Sequence, residues 1–137
     1  MDKENLLKVF NSNSNTLMET LDIEFVDFGD DFVTAKMPVT SKVFQPDGIL
    51  HGGATVALAE TVGSSAAFIL NKDSKRTVRG IEISANHLKS ISSGYVYATA
   101  RPVNSGKTIQ LWEIRVTNEE NELISICKLT TYSRTKN

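Results

Sequence analysis

The order of hydrophobic and polar positions divides the chain into one helical core segment and several extended ones. Residues 54–70 are apolar at most positions, as at Leu58 and Val62, and they are rich in alanine. A run of this length and composition predicts a helix, and a helix that is apolar all round is expected to be buried on most faces. The preceding residues 41–53 contain Pro46 and three glycines, and they predict an irregular segment.

Predicted strands occupy most of the remaining chain. The segments 23–28 and 32–38 are rich in strand formers, and Gly29-Asp30-Asp31 between them predicts a hairpin turn. Four longer runs of strand formers follow in the second half, at 77–88, 95–102, 108–117 and 123–132. Because the breaks between these runs are short, the second half predicts an antiparallel meander. With a short helix at about 2–10 and a helical turn near 16–19, this is an α+β domain whose long antiparallel sheet wraps around one central helix.

Composition and charge exclude several classes of protein. A chain of 137 residues with 40% hydrophobic and 23% charged residues corresponds to a single globular domain, 1–137. The net charge of −1, without any basic block, argues against a nucleic-acid partner. One cysteine, Cys127, excludes an internal disulfide and a cysteine metal cluster. There is no signal-peptide pattern and no apolar run long enough for a membrane span, so we expect a cytoplasmic protein without a membrane partner.

Glu60 is the unusual residue of the predicted helix. Its neighbours Ala59, Val62 and Gly63 are small or apolar. Burying a carboxylate without partners costs several kcal/mol, and carboxylates in such surroundings cluster at working sites. The alternative is a glutamate on a narrow polar stripe that it shares with Ser64, one turn further on. We take Glu60 as the candidate catalytic carboxylate.

The second candidate feature is His51-Gly52-Gly53 at the predicted start of the helix. Two glycines let the backbone approach a ligand closely, and the free N–H groups and the helix dipole favour an anionic oxygen. The carbonyl oxygen of an acyl group becomes such an oxygen as its carbon turns tetrahedral. A plain glycine loop with His51 as a hydrogen-bonded core residue is the alternative, and the pairing with Glu60 favours a site.

The spacing of these two features predicts a dimer. Eight residues separate Gly52 from Glu60. At the rise of an α-helix they lie about 12 Å apart along the axis, so one reacting carbonyl cannot contact both. If both serve one site, it must combine the helix start of one subunit with Glu60 of another, across antiparallel helices. Two-fold symmetry then gives two identical sites in an obligate homodimer.

The combined pattern resembles the signature of the hotdog-fold acyl-CoA thioesterases. The matching residues are Phe44-Gln45-Pro46-Asp47-Gly48-Ile49-Leu50-His51-Gly52-Gly53-Ala54 and Leu58-Ala59-Glu60-Thr61-Val62-Gly63-Ser64, with further matches at 80–87, 110–112 and 129–131. The chain is most similar to the 4-hydroxybenzoyl-CoA thioesterase branch with glutamate on the helix, within the PaaI-like superfamily. Inside that branch it is similar to bacterial 1,4-dihydroxy-2-naphthoyl-CoA thioesterases. The resemblance implies the hotdog fold and the hydrolysis of a small, preferably aromatic, acyl-CoA to free acid and CoA.

The resemblance also implies roles for individual residues. Glu60 would be the nucleophile or the general base that activates water. The thioester oxygen would accept hydrogen bonds from the Gly52 N–H and from Gln45. His51 would position the carbonyl or the leaving sulfur, and Ser64 would hold the water or orient Glu60. The residues expected to bind CoA are Gly80, His87, Leu88, Lys89, Ser90, Asn104, Ser105, Gly106, Lys107, Thr108 and Ile109.

The same resemblance implies no metal or cofactor, and homodimers with shared active sites that pair further into homotetramers. The turn at 104–109 departs from the pattern, because relatives carry basic or histidine residues through it and this chain has only Lys107. Lys89 and Lys107 are either point cations for the CoA phosphates or ordinary solvated lysines. His87 is either a CoA contact or a hydrogen-bonded core histidine.

Four other functions stay open at this point. They are a hydratase or dehydratase on the same fold, a non-catalytic acyl-CoA-binding module, a purely structural polar network at a dimer interface, and a thioesterase for medium-chain aliphatic acyl groups. Glu60 argues against the binding module, because a sensor would not need a catalytic carboxylate. Pockets with apolar walls discriminate between acyl groups by only a few kcal/mol, so the acyl group does not follow from the sequence.

Overall fold

The computed structural model describes residues 2–71, 73 and 75–136. In chain order its elements are α1 (Lys3–Phe10), α2 (Leu17–Thr20), β1 (Glu24–Phe28), β2 (Val33–Pro38), a 3-10 turn (Ser41–Val43), α3 (Gly52–Ile69), β3 (Arg76–His87), β4 (Tyr95–Ser105), β5 (Ile109–Thr117) and β6 (Leu123–Thr135). The strands form one antiparallel sheet in the order β1-β2-β4-β5-β6-β3. The predicted α+β architecture, a long antiparallel sheet around one central helix, is confirmed.

The prediction of one meander over the second half is wrong for β3. Strands β4, β5 and β6 follow one another in the sheet, but β3 pairs with β6, while β4 pairs with β2. The connection at 88–94 is too long for a tight hairpin and runs across the end of the sheet. Along this connection the backbone forms hydrogen bonds first with Ile124 of β6, then with Leu50, and finally with Val39 after β2. These bonds carry the chain from the β3 side of the sheet to the β2 side. This crossing brings 88–91 next to the segment that precedes α3.

Helix α3 is buried on one face only within this chain. The buried positions recur every three or four residues and face the sheet; they are Thr55, Leu58, Ala59, Val62, Gly63, Ala66 and Ala67. The helix and the sheet approach each other closely at Gly63, because a β-carbon there would lie only 2.6 Å from Leu129 Cδ2. The opposite face carries Glu60 and Phe68, whose side chain is 66% exposed. The expectation of burial on most faces is therefore wrong for the single chain, because its one sheet covers only one side of the helix.

The two edge strands, β1 and β3, differ in the hydrogen bonding of their outer edges. The side-chain amide of Asn11 donates to Phe25 O at 3.0 Å and accepts from Phe25 N at 2.7 Å, so it pairs with this residue of the β1 edge as one residue of a neighbouring strand would. Phe10 of α1 packs edge-on against Phe25 and Phe28 beside it. Nothing in the described part of the chain pairs with the outer edge of β3. None of the helices in that part has the length and apolar character to cross a membrane.

Candidate active site

The first turn of α3 leaves one backbone donor free. His51 caps the helix, its Nδ1 accepting from the Gly53 N–H at 2.7 Å and its carbonyl oxygen accepting from Ala54 and Thr55. For the Gly52 N–H, no acceptor exists among residues 2–71, 73 and 75–136. This donor lies at the positive end of the helix dipole. It is therefore available to an oxygen that gains negative charge.

A tight turn before the helix orients Gln45. The Gln45 N–H donates to Ile49 O at 2.8 Å, and Gly48, with a φ of 78°, donates to Gln45 O at 3.0 Å. The Asp47 N–H donates to the side-chain Oε1 of Gln45. Because the amide oxygen of Gln45 is occupied in this way, its Nε2 group is left to act as a donor.

Gln45 and Gly52 open onto the same pocket, of about 330 Å³, which we name the helix-start pocket. Its lining also contains Ile49, Leu50, Thr55, His87, Leu88, Lys89, Ser90, Ile91 and Ile124. The structure thus brings the predicted CoA-binding segment 87–90 together with two of the predicted catalytic residues. The juxtaposition follows from the crossing of 88–91 over the end of the sheet.

His87 lies directly against Gly52. A β-carbon at Gly52 would be 2.8 Å from His87 Nε2, closer than real side-chain contacts allow. The other ring nitrogen, Nδ1, is 2.5 Å from the hydroxyl of buried Ser125 on β6. Ser125 was not expected from the sequence, and only its register opposite His87 identifies it.

Glu60 belongs to a second group of residues, outside the helix-start pocket. A β-carbon at Gly80 would lie 3.0 Å from Glu60 Oε2 and 3.2 Å from Ser64 Oγ, so these three residues are neighbours. Gly80 is predicted to bind CoA, and in the structure its missing side chain also makes room for Glu60 and Ser64. Within the single chain, Glu60 is exposed on the open face of α3, whereas the sequence suggested that it is buried.

The turn at 104–109 forms a third group at the other end of α3. Ser105, Gly106 and Lys107 line an open pocket of about 490 Å³ that also includes Ala67, Leu70 and Arg76. Asn104, Thr108 and Ile109 are exposed beside it. Within one chain, the predicted site residues therefore do not form a single cluster.

The thioesterase superfamily model matches residues 47–125, more than half of the chain, a range that contains Gly52, Glu60 and Ser64. This chain belongs to the thioesterase superfamily. A thioesterase of Haemophilus influenzae has a solved structure with a TM-score of 0.89 and 42% identity, over 98% of this chain and 92% of that one. Over 126 residues the chain is 41% identical to the proofreading thioesterase EntH of Cronobacter turicensis, covering 91% of each. It is 42% identical over 111 residues to the 1,4-dihydroxy-2-naphthoyl-CoA hydrolase of Escherichia coli, covering 81% of each.

The charged residues of this thioesterase are unevenly available to a ligand. Lys89, at the rim of the helix-start pocket, forms an ion pair with Glu122. Hydrogen bonds from Lys89 and from Asn118 hold the pKa of the Glu122 carboxyl below its ordinary value. Lys107 makes no ion pair with the rest of the described chain. A phosphate would therefore compete with Glu122 at Lys89 and meet no such competitor at Lys107.

The thiol of the thioesterase takes no part in this arrangement. Cys127 faces the core from β6 and is 1% exposed. Burial raises the pKa of the Cys127 thiol to about 11, which suppresses the reactive thiolate. Among the described residues, no group of three or more His, Cys, Asp or Glu side chains is arranged to hold a metal ion.

Proposed function

We propose that this thioesterase hydrolyses a small aromatic acyl-CoA, of the hydroxybenzoyl or 1,4-dihydroxy-2-naphthoyl type, to the free acid and CoA in the cytoplasm. The observation that carries the proposal is the free Gly52 N–H at the start of α3, which opens with the Gln45 amide onto one pocket. The aromatic acyl group is supported by the name of the E. coli relative. Apolar Ile49 and Leu50 in the pocket lining suit such a group.

The first step is polarisation of the thioester carbonyl. Gly52 and Gln45 both line the pocket, so the Gly52 N–H and the Nε2 group of Gln45 would serve as its two donors. As the carbonyl carbon becomes tetrahedral, its oxygen gains charge, which these donors and the helix dipole stabilise. His51, whose ring is fixed by Gly53, then lies beside the carbonyl or the sulfur.

The second step needs a carboxylate, and Glu60 supplies it. Glu60 either attacks the carbonyl carbon directly or removes a proton from a water molecule that attacks it. Ser64, which neighbours Gly80 together with Glu60, would hold this water or orient the carboxylate. Collapse of the tetrahedral intermediate breaks the carbon–sulfur bond, and CoA leaves as a thiolate.

The two steps require two subunits. Glu60 lies about 12 Å along α3 from Gly52, on a face that the described part of its own chain leaves exposed. A second copy packed antiparallel on that face would bring its Glu60 to the Gly52 of the first copy. By symmetry, the Glu60 of the first copy would reach the Gly52 of the second. The uncovered β3 edge, which holds Gly80 next to Glu60, supports pairing on the same side. A homodimer with shared sites, paired further into a homotetramer, is therefore part of the proposal.

CoA is proposed to contact two segments of the sheet. The segment 87–90 lines the helix-start pocket, and it would follow the pantetheine arm away from the thioester. The turn at 104–109 lies in another part of the same chain and would meet the nucleotide, with Lys107 as the cation for a phosphate.

The decisive experiment is release of CoA thiol, followed with a thiol-reactive dye for the wild type, Glu60→Gln and a matched Glu120→Gln control. The substrates are benzoyl-, hydroxybenzoyl-, dihydroxynaphthoyl-, phenylacetyl- and hexanoyl-CoA. Because Cys127 is buried, the dye reads the released thiol with little background from the protein. Loss of the carboxylate is expected to lower kcat about 10²- to 10⁴-fold.

The exposed side chain of Glu120 makes no hydrogen bond or ion pair within the described chain, so Glu120→Gln should behave as the wild type. Wild-type turnover in Glu60→Gln would remove Glu60 from the mechanism. Preference for hexanoyl-CoA would replace the aromatic acyl group with an aliphatic one. A folded dimer that releases no thiol from any substrate would favour the binding module.

A further inference from the structure

The chain has two histidines, His51 and His87, and both lie beside Gly52. Each imidazole has its Nδ1 atom engaged by a neighbour, and each leaves Nε2 without a partner in the described part of the chain. The two neighbours differ in kind: one is a backbone donor and the other is a hydroxyl group. This difference determines where each neutral ring carries its proton.

His51 is fixed as a donor. Its Nδ1 accepts the Gly53 N–H at 2.7 Å, and a backbone N–H can only donate. Nδ1 therefore carries no proton, and the proton of the neutral ring lies on Nε2. His51 offers an N–H to any ligand at the helix start.

His87 is fixed in the opposite form. The Ser125 hydroxyl is 2.5 Å from His87 Nδ1 and 3.1 Å from Asn86 O. A carbonyl oxygen can only accept, so the single hydroxyl proton of Ser125 goes to Asn86 O. The hydroxyl oxygen must then accept from Nδ1–H, which leaves His87 Nε2 unprotonated. Ser125 itself is 0% exposed, so its hydroxyl is shielded from solvent, while the ring of His87 is exposed on the pocket side.

We propose that Ser125 is a positioning residue that holds His87 in the Nδ1–H form, so that its Nε2 accepts a hydrogen bond inside the helix-start pocket. The Gly52 N–H, Gln45 and His51 then act as donors near Gly52, whereas the Nε2 atom of His87 acts as an acceptor in the helix-start pocket. The donors suit an acyl oxygen. The acceptor suits a secondary amide N–H, the kind of group that the pantetheine arm of a CoA thioester carries next to its sulfur end.

The identity of this ligand rests on the function proposed above, whereas the protonation of His87 does not. In the other tautomer, His87 would direct an N–H toward Gly52 and would leave the ligand amide without an acceptor. An unpaired buried amide weakens binding, and the loss of one neutral hydrogen bond corresponds to a factor of about 3 to 10 in affinity.

The first test measures the tautomers directly, without substrate. The full chain is labelled with ¹⁵N-histidine, and long-range ¹H–¹⁵N spectra are recorded at weakly alkaline pH for wild type, Ser125→Ala and the control Ser84→Ala. With only two imidazoles to assign, we expect one Nε2–H ring, His51, and one Nδ1–H ring, His87. Ser125→Ala should move only His87 toward Nε2–H. Exposed Ser84 lies on the outer face of β3, so its replacement should change neither ring.

The second test separates binding from chemistry. For an acyl-CoA, Ser125→Ala should raise KM about 3- to 10-fold with little change in kcat. For the same acyl group on a short thiol without amides, the variant and the wild type should have equal KM. A merely structural role for Ser125 would raise KM for both thioesters alike.

The two proposals fail in different ways. If His87 is Nε2–H in the wild type, or if Ser125→Ala leaves its tautomer unchanged, the positioning role is overturned even in an active enzyme. If no thioester is hydrolysed, the proposed function fails, and the spectra still decide the role of Ser125.

Discussion

At the scale of single residues, Gly52 is a glycine because of a close neighbour rather than a special backbone angle. The glycines with positive φ are Gly48 and Gly94 in the described chain, and Gly52 is not among them. A β-carbon at Gly52 would instead collide with the imidazole of His87. The bare α-carbon therefore lets one position expose an N–H donor and accommodate the ring that lines the pocket.

We expect Gly52→Ala to damage catalysis more than stability. The added methyl group displaces His87 and shifts the reacting carbonyl, and a misplacement of this size costs about 10- to 100-fold in kcat/KM. Alanine is a better helix former than glycine, which limits the loss of stability. Steady-state kinetics beside a thermal melt checks this, and wild-type kcat/KM in a folded variant would contradict it.

Residue-level reasoning from the sequence found the backbone donor at Gly52 and the carboxylate of Glu60, because both stand out locally. It predicted that Gly80 binds CoA, but it did not predict that Gly80 lies next to Glu60. It did not identify Ser125, which lies 38 positions from His87. The contact between Ser125 and His87 depends on the β3–β6 register, which no local sequence pattern encodes.

At the scale of elements, a relay of side chains ties the 104–109 turn to the core. The buried Trp112 Nε1 donates to Thr131 Oγ1 at 3.0 Å, and Thr131 donates to Gln110 Oε1 at 2.7 Å. Gln110 Nε2 then donates to Gly106 O at 2.7 Å. The relay connects strands β5 and β6 to a turn that is proposed to meet the CoA nucleotide.

Thr131→Val should break this relay with almost no change in side-chain volume. The Trp112 N–H and the Gln110 carbonyl oxygen lose their partners, so we expect unfolding free energy to fall by about 1–3 kcal/mol. The loosened turn should also raise KM for acyl-CoA. Urea unfolding measures the first effect. Thr130→Val, on the outer face of the same strand, is the control and should stay within about 0.5 kcal/mol of the wild type.

An unchanged urea midpoint for Thr131→Val would show that the relay contributes nothing to stability.

The elements themselves were predictable because alternation and alanine content are local signals, and the central helix and every strand lie close to their expected positions. The order of the strands was not predictable in the same way. Whether 88–94 makes a hairpin or crosses the sheet depends on its bonds to Ile124, Leu50 and Val39.

At the scale of the whole molecule, one side of the described chain has an exposed helix face next to an unpaired strand edge. The open face of α3 carries Glu60 and exposed Phe68, and the uncovered β3 edge runs beside it. At the β1 edge, by contrast, Asn11 pairs with the backbone of Phe25. This asymmetry favours a second copy on the α3–β3 side. Under the proposed mechanism, the distance between Gly52 and Glu60 means that each site needs a residue of that copy.

The most direct test of the shared site mixes two defective chains. Glu60→Ala and Gln45→Ala are purified separately, then unfolded and refolded together at equal concentration, with each variant refolded alone as the control. In a mixed dimer, one site receives Gln45 from one chain and Glu60 from the other, and the second site receives both defects. Thiol release should then recover to about a quarter of the wild-type rate, because half of the dimers are mixed and each has one intact site. Activity of the mixture no higher than the average of the two variants, with mixed dimers present, would contradict the account and place each site within one chain.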